Sequence, residues 1–180
     1  EEVRLADRKG KDLFTAAGVQ LDIGALGLRE RRLRIDRLLL DQPGFILVRE
    51  QEGEATNIRF LLDFFSSEDT TARDPWLVSL KALSIRNGHF SFADLSRMVR
   101  YPGIDYDHVS VDSLDLELEE YRQKGDTNLF LIRHLAFRES SGFQLDTLRG
   151  DLLLSSSALE ASGLRIVTPR SRLDLDLSFA

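Results

Sequence analysis

The chain has 180 residues, of which 42% are hydrophobic and 30% charged, a balance that suits one folded domain and argues against intrinsic disorder. A net charge of −6 opposes binding to a phosphate backbone, so nucleic acid is not an expected partner. There is no cysteine, which excludes disulfides and thiolate metal sites, and no apolar run approaches the ~20 residues that cross a bilayer.

Val3 and Leu5 alternate with charged neighbours and predict a first strand, closed by a turn at Lys9-Gly10-Lys11. The next strand carries Phe14 and Ala16 on one parity, then Val19, Leu21 and Ile23 on the other. Such a phase change at Ala17-Gly18 predicts a β-bulge. Gly24 to Leu28 reads as a helical turn or loop. A basic run then leads into the stretch from Ile35 to Leu47, whose pattern returns forty-five residues later, from Leu80 to Phe92. The pairs Ile35/Leu80, Leu38/Leu83, Leu40/Ile85, Phe45/Phe90 and Leu47/Phe92 keep their apolar character, and Pro43 and Gly88 keep a turn former in place. A looser third copy holds Leu135, Phe137, Gly142, Phe143 and Leu145. These copies predict repeated hairpins near 33–49, 78–94 and 132–146, with Asn87-Gly88 as a type I′ turn.

Between the first two copies, Ile58, Leu61, Leu62 and Phe65 fall at i, i+3, i+4 and i+7. That spacing predicts a helix near 57–66 with Thr56 or Asn57 as its cap, presenting a packing face rather than a cofactor box. A polar loop follows over 66–75. From Ile104 onward the apolar residues recur with period two: Val109 and Val111, then after a phase change Leu114, Leu116 and Leu118, then Leu129, Leu131 and Leu135. Leu145, Leu152, Leu154, Leu164 and Ile166 continue the pattern, which ends on Leu173, Leu175, Leu177 and Phe179. Asp115, Glu117, Glu119, Asp174 and Asp176 occupy the opposite parity and are expected in water, paired across strands with basic residues.

Searches for chemistry come back empty. His89, His108 and His134 sit in separate segments with no metal-ligand spacing. The cluster Asp105-Tyr106-Asp107-His108 lacks the glycine and closing glutamate of a calcium loop and reads as a turn entering a strand. No nucleophile elbow, P-loop or dinucleotide fingerprint is present, and the carboxylates lie on the wet parity with nothing to separate their pKa values. No catalytic residue, metal or cofactor is expected, and the function is sought in a surface.

The order of segments resembles the AsmA/TamB-like family of bacterial envelope proteins, in the form found in Bacteroidota. The residues that carry the resemblance are Asp12 to Val19, the strand from Leu33 to Leu40, Asp41 to Arg49, Asn57 to Leu62, Asn87-Gly88-His89-Phe90, Gly103 to Tyr106, Ser140 to Phe143 and Thr168 to Ser171. The resemblance implies an elongated, curved antiparallel sheet with an apolar groove, in a periplasmic protein held in the inner membrane by an N-terminal helix. It implies a non-enzymatic role in moving phospholipid between membranes or assembling outer-membrane proteins, with an outer-membrane TamA-like barrel as a possible partner. The chain begins at Glu1 without Met and stops inside an alternating run, so it reads as a piece of such a protein with the anchor upstream.

The expected architecture is mainly β, a groove or open sandwich with one or two short helices in a single domain over 1–180. Leu114, Leu116, Leu118, Leu173, Leu175, Leu177 and Phe179 are the candidate lipid-binding residues. The same leucines would equally fill the core of a β-sandwich, in a secreted or surface module that binds a protein partner through a loop such as 66–75. The residues alone leave both open.

Overall fold

A computed structural model describes residues 2–27, 29, 32–59, 77–100, 103–124, 127–155 and 157–179. The expected helix beyond Arg59 and the loop over 66–75 lie outside the described residues. Strand is the dominant conformation: β1 (Val3–Ala6), β2 (Asp12–Ala16), β3 (Gly18–Gly27), β4 (Arg32–Asp41), β5 (Gly44–Arg49), β6 (Leu77–Leu80), β7 (Leu83–Asp94), β8 (His108–Lys124), β9 (Thr127–Glu139), β10 (Gln144–Leu154), β11 (Leu159–Thr168) and β12 (Ser171–Phe179). All twelve belong to one sheet, in the order β1-β2-β5-β7-β4-β6-β8-β9-β10-β11-β12, with β3 on β4. The sheet is mixed rather than antiparallel throughout, because β4 runs parallel to β6 and β7, and β5 parallel to β7.

That parallel pairing corrects two of the three expected hairpins. The copies that match at a spacing of forty-five do not fold back on themselves. They lie side by side, with Ile35 on Leu80, Leu38 on Leu83, Leu40 on Ile85, Phe45 on Phe90 and Leu47 on Phe92. Of the Asn87-Gly88 pair only Asn87 takes a left-handed conformation, with φ at 48°, and its counterpart Gln42 does the same at 47°. A type I′ turn needs two consecutive residues at positive φ, so each position is a kink and the chain continues in the same direction. Gly88 serves a close approach, since a Cβ there would lie 3.2 Å from the Pro43 ring of the neighbouring row. The third copy is a true hairpin, with Leu145 opposite Phe137.

Taken with their kinks, the strands form nine long rows: β1, β2/β3, β4/β5, β6/β7 and then β8 to β12 singly. At about 4.8 Å per row the sheet is roughly 40 Å across. From β7 to β12 each row pairs antiparallel with the next. The single parallel junction requires a crossover of a dozen or more residues, and residues 50–76 provide it. At its start the Asn57 side chain accepts from the Val48 N–H at 2.9 Å and donates to the Ile46 carbonyl at 3.1 Å. Asn57 thus extends the ladder of β5.

Two lines of irregularity cross the sheet from row to row. One passes through Ala17, Gln42-Pro43, Asn87 and Ser113, and hydrogen bonds from Ala17 N–H to Asp41 and from Gln42 N–H to Arg86 join its members. The other passes through Gly24, Asp36, Lys81-Ala82, Glu119, Arg133, Gly150 and Gly163, at shifts of register between paired strands. Gly24 to Gly27 therefore belongs to β3, past a bulge, instead of forming a helical turn. Bulges aligned across neighbouring strands bend a sheet and raise its twist. Gly150 is needed for this bend, because with φ at +150° a Cβ would stand 2.9 Å from the Leu164 Cα.

The accessible surface is 12400 Å², against about 8,800 Å² for a compact monomer of this mass. Among the described residues nine apolar side chains besides Pro43 are buried, Leu40, Ile85, Leu118 and Leu164 among them. The described strands all belong to one sheet, and no second sheet packs on these leucines among the described residues.

Candidate functional site

Residues paired across a ladder share a face, so register locates every candidate. Leu118 lies opposite Leu83 and Leu116 opposite Ile85 and Leu135, while Leu114 lies opposite Gly88. Leu148 joins Leu135 to Ile166, and Ile166 lies opposite Leu173. Leu164, Ala161 and Leu159 then face Leu175, Leu177 and Phe179. All seven candidates thus occupy one face, as the two ends of a patch that runs without interruption from β8 to β12. On the other side the patch continues through Leu38 and Leu40 to Leu21 and Val19 of β3.

The bulges explain how this continuity arises from a sequence whose parity keeps changing. A strand that gains one residue at a bulge shifts its alternation, and the apolar parity before the bulge meets the apolar parity after it on the same side. The bulge at Arg133 puts Ile132 and Phe130 on the leucine face and turns Leu129 and Leu131 to the other side, opposite Arg122 and Glu120. Parity counting assigned Leu129 and Leu131 to the same set as Leu135, and it missed Ile132 and Phe130. It also left β3 unassigned as a wall, although Leu21, Ile23 and Leu26 all reach solvent on this face.

Burial falls from the middle of the patch to its margins. Leu118 is 8% exposed, Leu114, Leu116 and Leu175 are half-buried, Leu177 is exposed, and Leu173 and Phe179 reach 51% and 62%. Aromatic rings fill part of the surface: Phe14 and Phe45 have centroids 5.0 Å apart and Tyr121 and Phe130 5.1 Å apart. At one margin the Tyr121 hydroxyl donates to Asn128 at 3.0 Å.

The opposite face carries charge, as the parity of Asp115, Glu117, Glu119, Asp174 and Asp176 predicts. Arg165 sits directly across from Asp174 and donates to it at 2.5 Å, with Arg172 on its second oxygen at 3.1 Å. Those two guanidinium groups, Arg165 first, hold the Asp174 carboxyl below the usual range. Arg133 pairs with Glu119 and Lys81 reaches Asp36 at 2.8 Å.

Three carboxylates are buried at one rim, where strands enter and leave loops. Asp94 accepts from the Ser96 hydroxyl and N–H and from Arg49 at 3.1 Å. Asp105 accepts from the N–H groups of Arg100 and Asp107 and meets His108 Nδ1 at 3.0 Å. Glu139 accepts from Ser140 and Ser141. The Asp105 cluster is thus a turn entering β8, as its residues predict. Every displaced carboxyl among the described residues is displaced downward, Asp7, Asp36 and Glu50 as well as these. Such groups hold loops in place; a general acid at neutral pH requires the opposite shift.

A cleft of about 280 Å³ beside the β1–β2 turn is lined by Asp7, Lys9, Glu50, Glu54 and Asn57. Lys9 and Lys11 both reach Glu50 there. Among the described residues no three His, Asp or Glu side chains converge as a metal site would need, and no helix is long and apolar enough to cross a membrane. Comparisons with family models, curated proteins and solved structures find no match for the chain.

Proposed function

We propose that the leucine face holds lipid acyl chains, and that the chain is a non-enzymatic periplasmic segment of an AsmA/TamB-like protein. In this reading it shields phospholipid tails during transport between membranes or during outer-membrane assembly. An inner-membrane anchor upstream and a TamA-like outer-membrane barrel are its proposed attachments. The observation that carries the reading is an apolar face continuous over β8 to β12 in a single-layer sheet, with Leu173 and Phe179 more than half exposed at its margin.

Hydrocarbon chains make no directional demand, so a continuous face without polar anchors suits them. A chain lying on an open sheet buries one side of itself. Each methylene is then worth about half of the ~0.8 kcal/mol that full burial brings, and affinity accumulates with chain length. Charge is concentrated on the opposite face, and where it reaches the rim of the leucine face Arg49 and Asp94 neutralise each other, which limits desolvation penalties on the apolar side.

Lipid extraction and native mass spectrometry of the purified chain test the proposal. Phospholipid or fatty acid should accompany the chain, and Leu175→Glu should remove it while the far-ultraviolet spectrum stays unchanged. A preparation that carries no lipid and takes up none from added fatty acid refutes the reading. It would leave the face to a protein occupant.

A further inference from the structure

We propose that the outer edge of β3 pairs with the same edge of a second copy of this chain, joining two sheets across a two-fold axis at Leu21. β3 lies off the main path of the sheet and pairs with β4 alone among the described strands. β1 covers its row only as far as Ala16, opposite Val3. Residues 18–27 are left as a free edge.

The backbone of that edge is turned outward. On β4 the Leu38 N–H donates to the Ala82 carbonyl and the Ile35 carbonyl accepts from the Lys81 N–H, so both residues use their main-chain groups on the side away from β3. Their partners across the ladder, Leu21 and Ile23, therefore sit in non-hydrogen-bonded pairs and point their own N–H and C=O groups away from β4. Val19, two residues before Leu21, points the same way. A row of unpaired groups is a template for another strand, and charge ordinarily guards it. β12, at the far end of the sheet, carries Arg172, Asp174 and Asp176, whereas 18–27 carries Asp22 alone, with Val19, Leu21, Ile23 and Leu26 all exposed.

A second copy is the occupant that this edge fits. Antiparallel pairing about Leu21 sets Leu21 against Leu21 of the second copy and Val19 against its Ile23 at both ends, apolar on the leucine face throughout. Gln20 then meets Asp22 on the opposite face, where the amide donates to the carboxylate and no like charges are opposed. An axis at Asp22 would set carboxylate against carboxylate, and one at Gln20 would drive Ile23 against Ala17, beside the end of β1. Each of the three outward pairs exchanges two backbone bonds, about six in all. At one bond per 100–200 Å² these correspond to roughly 600–1,200 Å² buried, the low end for a specific interface, so association is expected at micromolar concentration. The bonds lie in the plane of the sheet, and the pairing does not depend on what covers the leucine face.

Light scattering on the 180-residue chain tests the join, at about 100 µM and about 0.15 M salt, which screens the charge of −6 on each copy. The expected mass is twice the 20.4 kDa of one chain. Leu21→Pro removes an outward N–H that the monomer does not use, a change an edge strand tolerates. It should weaken association at least about tenfold with the far-ultraviolet spectrum unchanged. The chain has no cysteine, so single cysteines report the register even if the proline variant fails to fold. Leu21→Cys meets its own equivalent at a Cα separation of about 5.5 Å, within disulfide range, and should cross-link under mild oxidation. Val19→Cys, about 14 Å from its equivalent, should not. A wild-type chain that stays single at this concentration overturns the proposal. A dimer that survives Leu21→Pro, or one in which Val19→Cys cross-links as readily as Leu21→Cys, overturns it too, by assigning association to another surface or register.

Discussion

Leu118→Ala and Leu173→Ala make the same chemical change on the same face, and the single-layer sheet predicts very different consequences. Leu118 is 8% exposed and lies between Leu83 of β7 and Ile132 of β9. Truncating it removes buried surface and leaves a void, at a cost of about 2–5 kcal/mol. Leu173 is 51% exposed and touches only the β11 side of the sheet. About half of its transfer free energy has not been gained on folding and no enclosed void can form, so its loss should cost about 1 kcal/mol or less. Urea denaturation measures both, as shifts of the midpoint at constant slope. If a second layer covered the margin, Leu173→Ala would cost as much as Leu118→Ala. Equal midpoints for the two variants would refute the open face.

Gly150→Ala should destabilise the chain by about 1–3 kcal/mol, because its φ of +150° and the 2.9 Å approach of the Leu164 Cα both exclude a Cβ; a midpoint unchanged in urea would remove the second bulge line from the account. Asn57→Ala deletes two hydrogen bonds to β5, worth about 1–3 kcal/mol together, and amide hydrogen exchange should accelerate at Val48 in particular. Acid should weaken the fold in a defined window. Asp94, chiefly through the Ser96 hydroxyl, and Asp105, chiefly through the Arg100 N–H, lie below the ordinary 3.8. In Glu139 burial pushes upward, but the Ser141 and Ser140 bonds prevail and leave it below 4.5. A folded pKa below the unfolded one contributes stability that is present above the unfolded value and is lost as pH falls through the folded value. The urea midpoint should therefore drop as pH passes below 3.8, and a midpoint that stays flat there would refute the assignment.

The β character, the charged face and the leucine alternation of β12 were legible because each depends on neighbours within a few residues. Period two placed Leu173, Leu175, Leu177 and Phe179 on one side, and the structure keeps them there. The self-similarity at forty-five residues was legible as a repeat but not as a pairing. Asn87-Gly88 carries the same local signal whether the chain reverses or bulges. What decides is the parallel neighbour, Pro43 against Gly88, which lies forty-five residues away. Parity failed where a bulge intervened, as at Arg133, since one extra residue inverts every assignment beyond it.

Among the described residues few apolar side chains are buried, nine besides Pro43, so most leucines on the face contribute only the contacts they make along the sheet. Their outer surfaces remain wet in the free protein, and a hydrocarbon that covers them adds stability that folding alone has not supplied. Ligand bound only to the folded state stabilises it by RT ln(1 + [L]/Kd), about 2.7 kcal/mol at a hundredfold excess over Kd. Delipidated chain titrated with fatty acid should therefore show a urea midpoint that rises with the logarithm of ligand concentration. The rise should be larger for longer chains at equal concentration, because each added methylene meets another stretch of the same face and lowers Kd. Leu175→Glu should flatten the titration, since Leu175 lies between the exposed margin and buried Leu164, where a carboxylate meets no partner on the apolar side. A midpoint indifferent to fatty acid in the wild-type chain would mean that the wet face is stabilised by something other than hydrocarbon, and the acyl-chain reading would fall with it.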